Sequence, residues 1–191
     1  MTEEINLLND KLRKYQDLKV DNERLQSLLD LKDSTGEFEY VAANVISRDY
    51  GGWYEAFTVN KGLKDGIEKY DTVVTTEGLV GNVAEVGEHY ARVISIIDST
   101  SSVGAEISRT KEIVIIDGDM NLMPKGLCKL SYASNQANVI SGDLLETSGL
   151  GDIYPKGILI GKVIEIDEYI LVEPSVDFNK ISEVLIITGE K

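Results

Sequence analysis

The sequence predicts a mainly β protein, built as an N-terminal coiled-coil helix followed by two small related β-barrels. Three observations carry that prediction. Apolar residues near the N-terminus recur at steps of three and four. Beyond Glu37, short runs rich in Val, Ile, Thr and Tyr alternate with polar residues, and Gly, Asn or Asp punctuates them about every ten residues. One of these runs, with its flanking turns, is echoed later in the chain.

The helical pattern begins at Ile5 and continues through Leu8, Leu12 and Tyr15, placing these side chains on one seam. A step of three then falls where four is due, a stammer that overwinds a coiled coil locally. Leu18, Asn22, Leu25 and Leu29 resume the seam. An Asn buried there costs stability but fixes alignment and strand number, so Asn22 points to a specific dimer. The competing reading is an amphipathic helix lying on its own domain. Ser34-Thr35-Gly36 ends the pattern, with Gly36 suited to the left-handed position after a C-cap.

Twelve strands are expected after the helix: Tyr40 to Ser47, Tyr54 to Asn60, Thr72 to Thr75, Leu79 to Val86, Arg92 to Ile97, Val103 to Ser108, Glu112 to Asp117, Gly126 to Tyr132, Leu144 to Thr147, Ile158 to Ile166, Ile170 to Glu173 and Glu183 to Ile187. Many short strands without intervening helices favour barrels or sandwiches over a parallel sheet. The echo supports barrels. Tyr70 to Val86 is matched first by Gly142 to Thr147 and then, after an insertion, by Gly157 to Ile166. Gly81 and Gly161 hold the same place in the two copies and are expected to permit a bend or bulge. The resulting division is a coiled-coil helix over residues 1–36, a first barrel over 37–108 and a second over 109–191. Sequential lobes are favoured; a second lobe inserted in the first, with the last strand returning, is the alternative.

Composition excludes several function classes. With 33 acidic against 19 basic residues, the formal charge is −14, which opposes binding to nucleic acid. The single cysteine, Cys128, lies in an apolar-alternating run and reads as a buried, inert thiol. The chain contains no apolar run of membrane-spanning length. Met1 opens directly onto the heptads, which fits either a natural start or the loss of an upstream segment.

The search for chemistry returns little. One His and one Cys in distant strands cannot supply a zinc site. Asp117-Gly118-Asp119-Met120-Asn121 lacks the later bidentate Glu of a calcium loop and reads as an Asx-rich turn. His89, Asp98 and Ser148 occur in the chain order of a two-barrel protease triad, but Ser148 lacks the flanking residues that build an oxyanion hole. No glycine-rich loop opens a helix, so no nucleotide phosphate site is expected. No catalytic, metal-binding or cofactor-binding residue is assigned, and no cofactor is expected.

Two sets of motifs follow the coiled coil. The first is Val45-Ile46-Ser47-Arg48-Asp49 followed by Trp53, then Val59 to Gly62, Asp65-Gly66-Ile67 and Gly78 to Val83. The second is Gly142-Asp143, Thr147-Ser148-Gly149, Tyr154 to Gly157 and Ile160 to Val163. In this order after a coiled coil, they resemble a family, the bacterial rod shape-determining protein MreC. The resemblance implies a short cytoplasmic tail and a single transmembrane anchor upstream of this chain, with the barrels on the outer face of the cytoplasmic membrane. It also implies a non-enzymatic scaffold that self-associates, as a homodimer or a filament, and links wall-synthesis penicillin-binding proteins to membrane cell-shape proteins.

Partner surfaces are few. Tyr50, Trp53 and Tyr54 gather three aromatics around two glycines, and such side chains anchor interfaces. Capping of the first barrel by Trp53 is the alternative. Two other functions compete with the scaffold: a peptidoglycan or other glycan binder using these aromatics, and a two-barrel hydrolase.

Overall fold

The computed structural model describes residues 38–48, 56–133, 138–166 and 169–189, with Lys14, Gln16 and Lys19. The expected coiled-coil seam lies outside the described residues. From Phe38 onward the described chain is mainly β, and its strands form two closed six-stranded barrels.

The strands follow the alternating runs. They are β1 (Glu39–Arg48), β2 (Ala56–Val59), β3 (Thr72–Thr75), β4 (Gly78–Val86), β5 (Ala91–Ser95), β6 (Ser102–Ile107), β7 (Ile113–Gly118), β8 (Cys128–Ala133), β9 (Leu144–Thr147), β10 (Leu159–Ile166), β11 (Ile170–Pro174) and β12 (Glu183–Thr188). In β5, for example, Ala91, Val93 and Ser95 are buried while Arg92 and Ile94 are partly exposed. That alternation is what a strand with one face to a core requires. Val59, Val73, Leu79, Val83 and Ile186 are fully buried in the first barrel, and Val103, Ile107, Val114, Leu145 and Val172 in the second. Each such side chain contributes about 1.5–3 kcal/mol relative to leaving it in water.

Around the first barrel the strand order is β1-β12-β3-β4-β5-β2, and around the second it is β10-β11-β8-β7-β6-β9, each ring closing on its first strand. All pairs are antiparallel, and closure leaves neither barrel with a free edge. This corrects the sequential arrangement. The last strand, β12, pairs with β1 and β3 of the first barrel, so the second barrel occupies residues 102–174 between two parts of the first. The boundary expected after Ser108 falls inside the turn between β6 and β7, two strands of the same barrel. The cause is physical: apolar alternation tells a strand which face is buried but not which neighbour it pairs with.

The two glycines of the echo sit beside bulges. Val73 faces Gly81 and Val74 faces Leu79, leaving Val80 as an extra residue in β4. Likewise Leu145 faces Gly161 and Glu146 faces Leu159, leaving Ile160 extra in β10. A bulge sharpens the local bend that a small barrel needs to close. The bend brings Gly81 so near β5 that a Cβ there would lie 1.9 Å from the Ile94 carbonyl oxygen. At Gly161 the distance to the Glu173 oxygen would be 2.1 Å.

Candidate interaction surface

The two barrels meet along the start of β4 and β10. The segment inserted between β9 and β10 runs along that seam. Its Ile153 carbonyl accepts a hydrogen bond from the Thr72 hydroxyl at 2.7 Å, and the Tyr154 hydroxyl lies 3.1 Å from Asn82 Oδ1. Tyr154 is buried, and burial pushes its phenol up to about 12, against a smaller opposite pull from Ser101. Thr147 holds the base of the segment, donating to the Pro155 carbonyl and accepting from the Ile158 N–H. Gly78 permits close approach here, since a Cβ would stand 2.4 Å from the Leu159 carbonyl oxygen.

The same segment carries Lys156 to a buried carboxylate. Glu106 on β6 is 3% exposed, with Lys156 Nζ 2.8 Å from one oxygen and Lys111 Nζ 3.0 Å from the other. Hydrogen bonds from Lys156 and then Lys111 hold this carboxyl below its usual value of 4.5. Asp143 is likewise held below 3.8, first by the Arg109 guanidinium, which reaches both of its oxygens at 2.8 and 3.0 Å. A carboxylate whose native pKa is depressed adds stability above its unfolded pKa and loses it as pH falls through the native value. The urea midpoint is therefore expected to drop between pH 5 and pH 3. Glu106→Gln should show a shallower drop over that range, and an unchanged slope would refute the role of this carboxylate. Sequence reasoning missed this carboxylate, because a lone Glu between Ala105 and Ile107 in an alternating strand reads as a residue of the solvent face.

Beside the seam a groove of about 620 Å³ opens between the 3-10 turn Met123–Lys125, strands β9 to β11 and the crossover that follows β11. Met123, Pro124, Leu127, Leu144, Leu159 and Phe178 supply apolar lining. Leu144 is 51% exposed although it lies within a barrel strand. Lys125, Lys162, Glu173 and Asp177 also line the groove, with Lys162 and Glu173 paired at 2.8 Å across β10 and β11. The groove thus sets apolar side chains beside charged ones on the surface. Periodicity did not reveal it, because its residues come from five separated stretches.

The residues weighed for chemistry are dispersed among other partners. His89 is exposed, with Nε2 3.3 Å from Lys64 Nζ. Asp98 is buried and accepts from the Thr100 N–H at 2.8 Å, while the Ser148 hydroxyl accepts from the Leu150 N–H at 3.2 Å. Asp119 forms an Asx turn, its carboxylate accepting from the Asn121 N–H at 2.8 Å. Among the described residues, no group of three or more His, Cys, Asp or Glu is placed to hold a metal ion.

Cys128 is fully buried, and desolvation, helped by nearby Asp117, pushes its thiol up to about 12. Since the thiolate is the reactive form, Ellman's reagent is expected to leave the native protein unlabelled at pH 8 and to titrate one thiol in denaturant. Rapid native labelling would show that β8 opens. The coiled-coil residues Ile5, Leu8, Leu12, Tyr15, Leu18, Asn22, Leu25 and Leu29, and the aromatic cluster Tyr50, Trp53 and Tyr54, all lie outside the described residues.

The family model for the barrel core of the rod shape-determining protein MreC matches residues 45–188, a span that takes in the second barrel and all of the first except the start of β1. The chain belongs to the MreC family. The cell shape-determining protein MreC of Bacillus subtilis is 29% identical over 93% of this chain, and that of Listeria monocytogenes is 32% identical over 79%. The chain spans 66% of the length of the first relative and 52% of the second. A solved MreC structure superposes with a TM-score of 0.79 at 28% identity, covering 89% of this chain and 98% of the other. MreC from Helicobacter pylori, solved in a complex with the penicillin-binding protein PBP2, shares the fold at a TM-score of 0.62 and 14% identity, covering 81% of this chain and 100% of the other. Among the described residues, no helix is long and apolar enough to cross a membrane.

Proposed function

We propose that this chain is a non-enzymatic scaffold of the cell-wall elongation machinery that maintains bacterial cell shape. On this reading the helix over residues 1–36 pairs subunits while the barrel surfaces dock a penicillin-binding protein and membrane cell-shape proteins. The barrels work on the outer face of the cytoplasmic membrane, tethered by a single-pass anchor upstream of this chain. The observation that carries the reading is the MreC core match over residues 45–188. The H. pylori relative solved with PBP2 supports a wall-synthesis enzyme as partner. The dispersal of His89, Asp98 and Ser148 among unrelated partners speaks against hydrolysis by that set.

The test has two arms. Sedimentation equilibrium should give a dimer or larger species for the full chain and a monomer for a chain starting at Glu37. Leu12→Asp or Leu25→Asp should weaken association without unfolding the barrels, because each leaves an unpaired charge on an apolar seam. A variant as associated as its parent would remove the helix as the interface. In the second arm, an elongation-class penicillin-binding protein is immobilised and titrated with the full chain. Leu144→Asp, which puts a charge in the groove, is expected to weaken binding about tenfold. Unchanged binding would move docking elsewhere, with Tyr50, Trp53 and Tyr54 next in line, and no binding by the parent chain would overturn the partnership.

A further inference from the structure

The echo first read in sequence extends to the hydrogen-bonding register of both barrels. Asp71 and Asp143 each immediately precede a strand and each accept, through Oδ2, the N–H three residues earlier, from Glu68 at 2.7 Å and from Ile140 at 3.0 Å. The Val83 N–H donates to the Asp71 carbonyl and the Val163 N–H to the Asp143 carbonyl, both at 2.9 Å. The Tyr70 N–H returns to Val83 O, and the Gly142 N–H to Val163 O. After the fifth strand of each set, Ile96 N–H donates to Val80 O and Ser175 N–H to Ile160 O, both at 2.9 Å. Each long strand also carries a second bulge, between Val83 and Glu85 in β4 and between Val163 and Glu165 in β10.

Matching strands in this way makes β3 equivalent to β9, β4 to β10, β5 to β11, β2 to β8 and β1 to β7. The remaining pair is β12 and β6. β12 lies between β1 and β3, as β6 lies between β7 and β9. In chain order, however, β6 ends the first set of six and β12 ends the second, so each set closes the other set's barrel. The contact between the barrels also joins equivalent strands, β4 against β10, as a pair related by an approximate two-fold would.

We infer that the chain is a duplicated six-stranded module whose two copies have exchanged their closing strands, so that neither half of the chain can complete a barrel without the other. The partner of each module is thus a second copy of itself, covalently linked. Both crossovers that carry the exchange are packed. Ile96, Ile97 and Asp98 lead into β6 and are at most 2% exposed, while Val176, Phe178 and Ile181 lead into β12 and are at most 7% exposed. Arg48 of β1 fastens the second crossover, its guanidinium donating to the Phe178 and Ile181 carbonyls. The barrels are therefore one cooperative unit and cannot unfold or separate singly.

The experiment inserts a specific protease site between Thr110 and Lys111, in the turn joining β6 to β7, and cleaves the folded full chain. The cleaved protein should run as one particle at the position of the uncut one and melt in one transition, although denaturing gels show two fragments. Two folded species on gel filtration, or two melting transitions, would overturn the inference. Because an insertion can itself disturb folding, hydrogen exchange on the unmodified chain decides independently: amides of β3 and β9 should exchange through the same global opening, at rates within about threefold. One set exchanging more than about tenfold faster would overturn the inference as well.

Discussion

Ile186→Asp is expected to unfold the protein, although residue 186 lies near the C-terminal end of the chain. Ile186 is fully buried, pairing with Val41 on β1 and Val73 on β3, in the strand that closes the first barrel. Burying an unpaired carboxylate costs several kcal/mol, comparable with the ~5–15 kcal/mol that holds a whole domain together. Loss of the cooperative urea transition, with collapse of the far-ultraviolet β signal, is the expected result. A folded variant weakened by less than about 1 kcal/mol would show that β12 is dispensable to the first barrel. Ile186→Val is the control, expected to cost about 0.5–1.5 kcal/mol because it removes one methylene from the same site.

The second large effect belongs to Gly81. Its φ is not in the left-handed region, so backbone strain is not the issue; the obstacle is the Ile94 carbonyl on β5, 1.9 Å from where a Cβ would sit, with two further β5 backbone atoms at 2.9 Å. Those atoms belong to the ladder and cannot swing aside as a flexible side chain could. Gly81→Ala is expected to destabilise by about 3 kcal/mol or more, and Gly81→Val to prevent folding, since overpacking against backbone lies at the upper end of such costs. Gly161 supplies the internal comparison, because its Cβ would lie 2.1 Å from the Glu173 oxygen, and Gly161→Ala should behave alike. Gly126 is the contrasting case: it has open space around it but a φ of 69°, so Gly126→Ala pays only for conformation, about 1 kcal/mol. Equal urea midpoints for Gly81→Ala and Gly126→Ala would refute the steric account.

Much of the local structure was legible before any coordinates. Thr72–Thr75 and Leu144–Thr147 were bounded correctly, because each β-branched or leucine-rich run is cut off by turn residues on both sides. The strand expected over Arg92 to Ile97 starts one residue earlier, at Ala91, and ends two residues earlier, at Ser95. Ile96 and Ile97 are apolar and buried, but they are buried in the crossover to the other barrel, and apolarity alone does not separate a strand residue from a packed connection. The same ambiguity hid the groove, whose apolar residues each look like ordinary core. Tyr154 lies in the segment between β9 and β10, and only its hydrogen bond to Asn82 shows that this segment is tied to the other barrel.

By itself, the sequence determined that the region after Glu37 is mainly β, where its strands lie, that a pattern is duplicated, and that Gly81 and Gly161 hold equivalent special positions. These are local properties, set by side-chain volume, β-branching and the period of two along a strand. Only the tertiary structure decided which strands pair, that β12 and β6 close each other's barrels, and that Lys111 and Lys156 converge on Glu106. Pairing depends on contacts between residues far apart in the chain, and every buried strand edge presents the same N–H and C=O groups to any neighbour. The choice among neighbours is made by closing both barrels at once, a condition that no single segment contains.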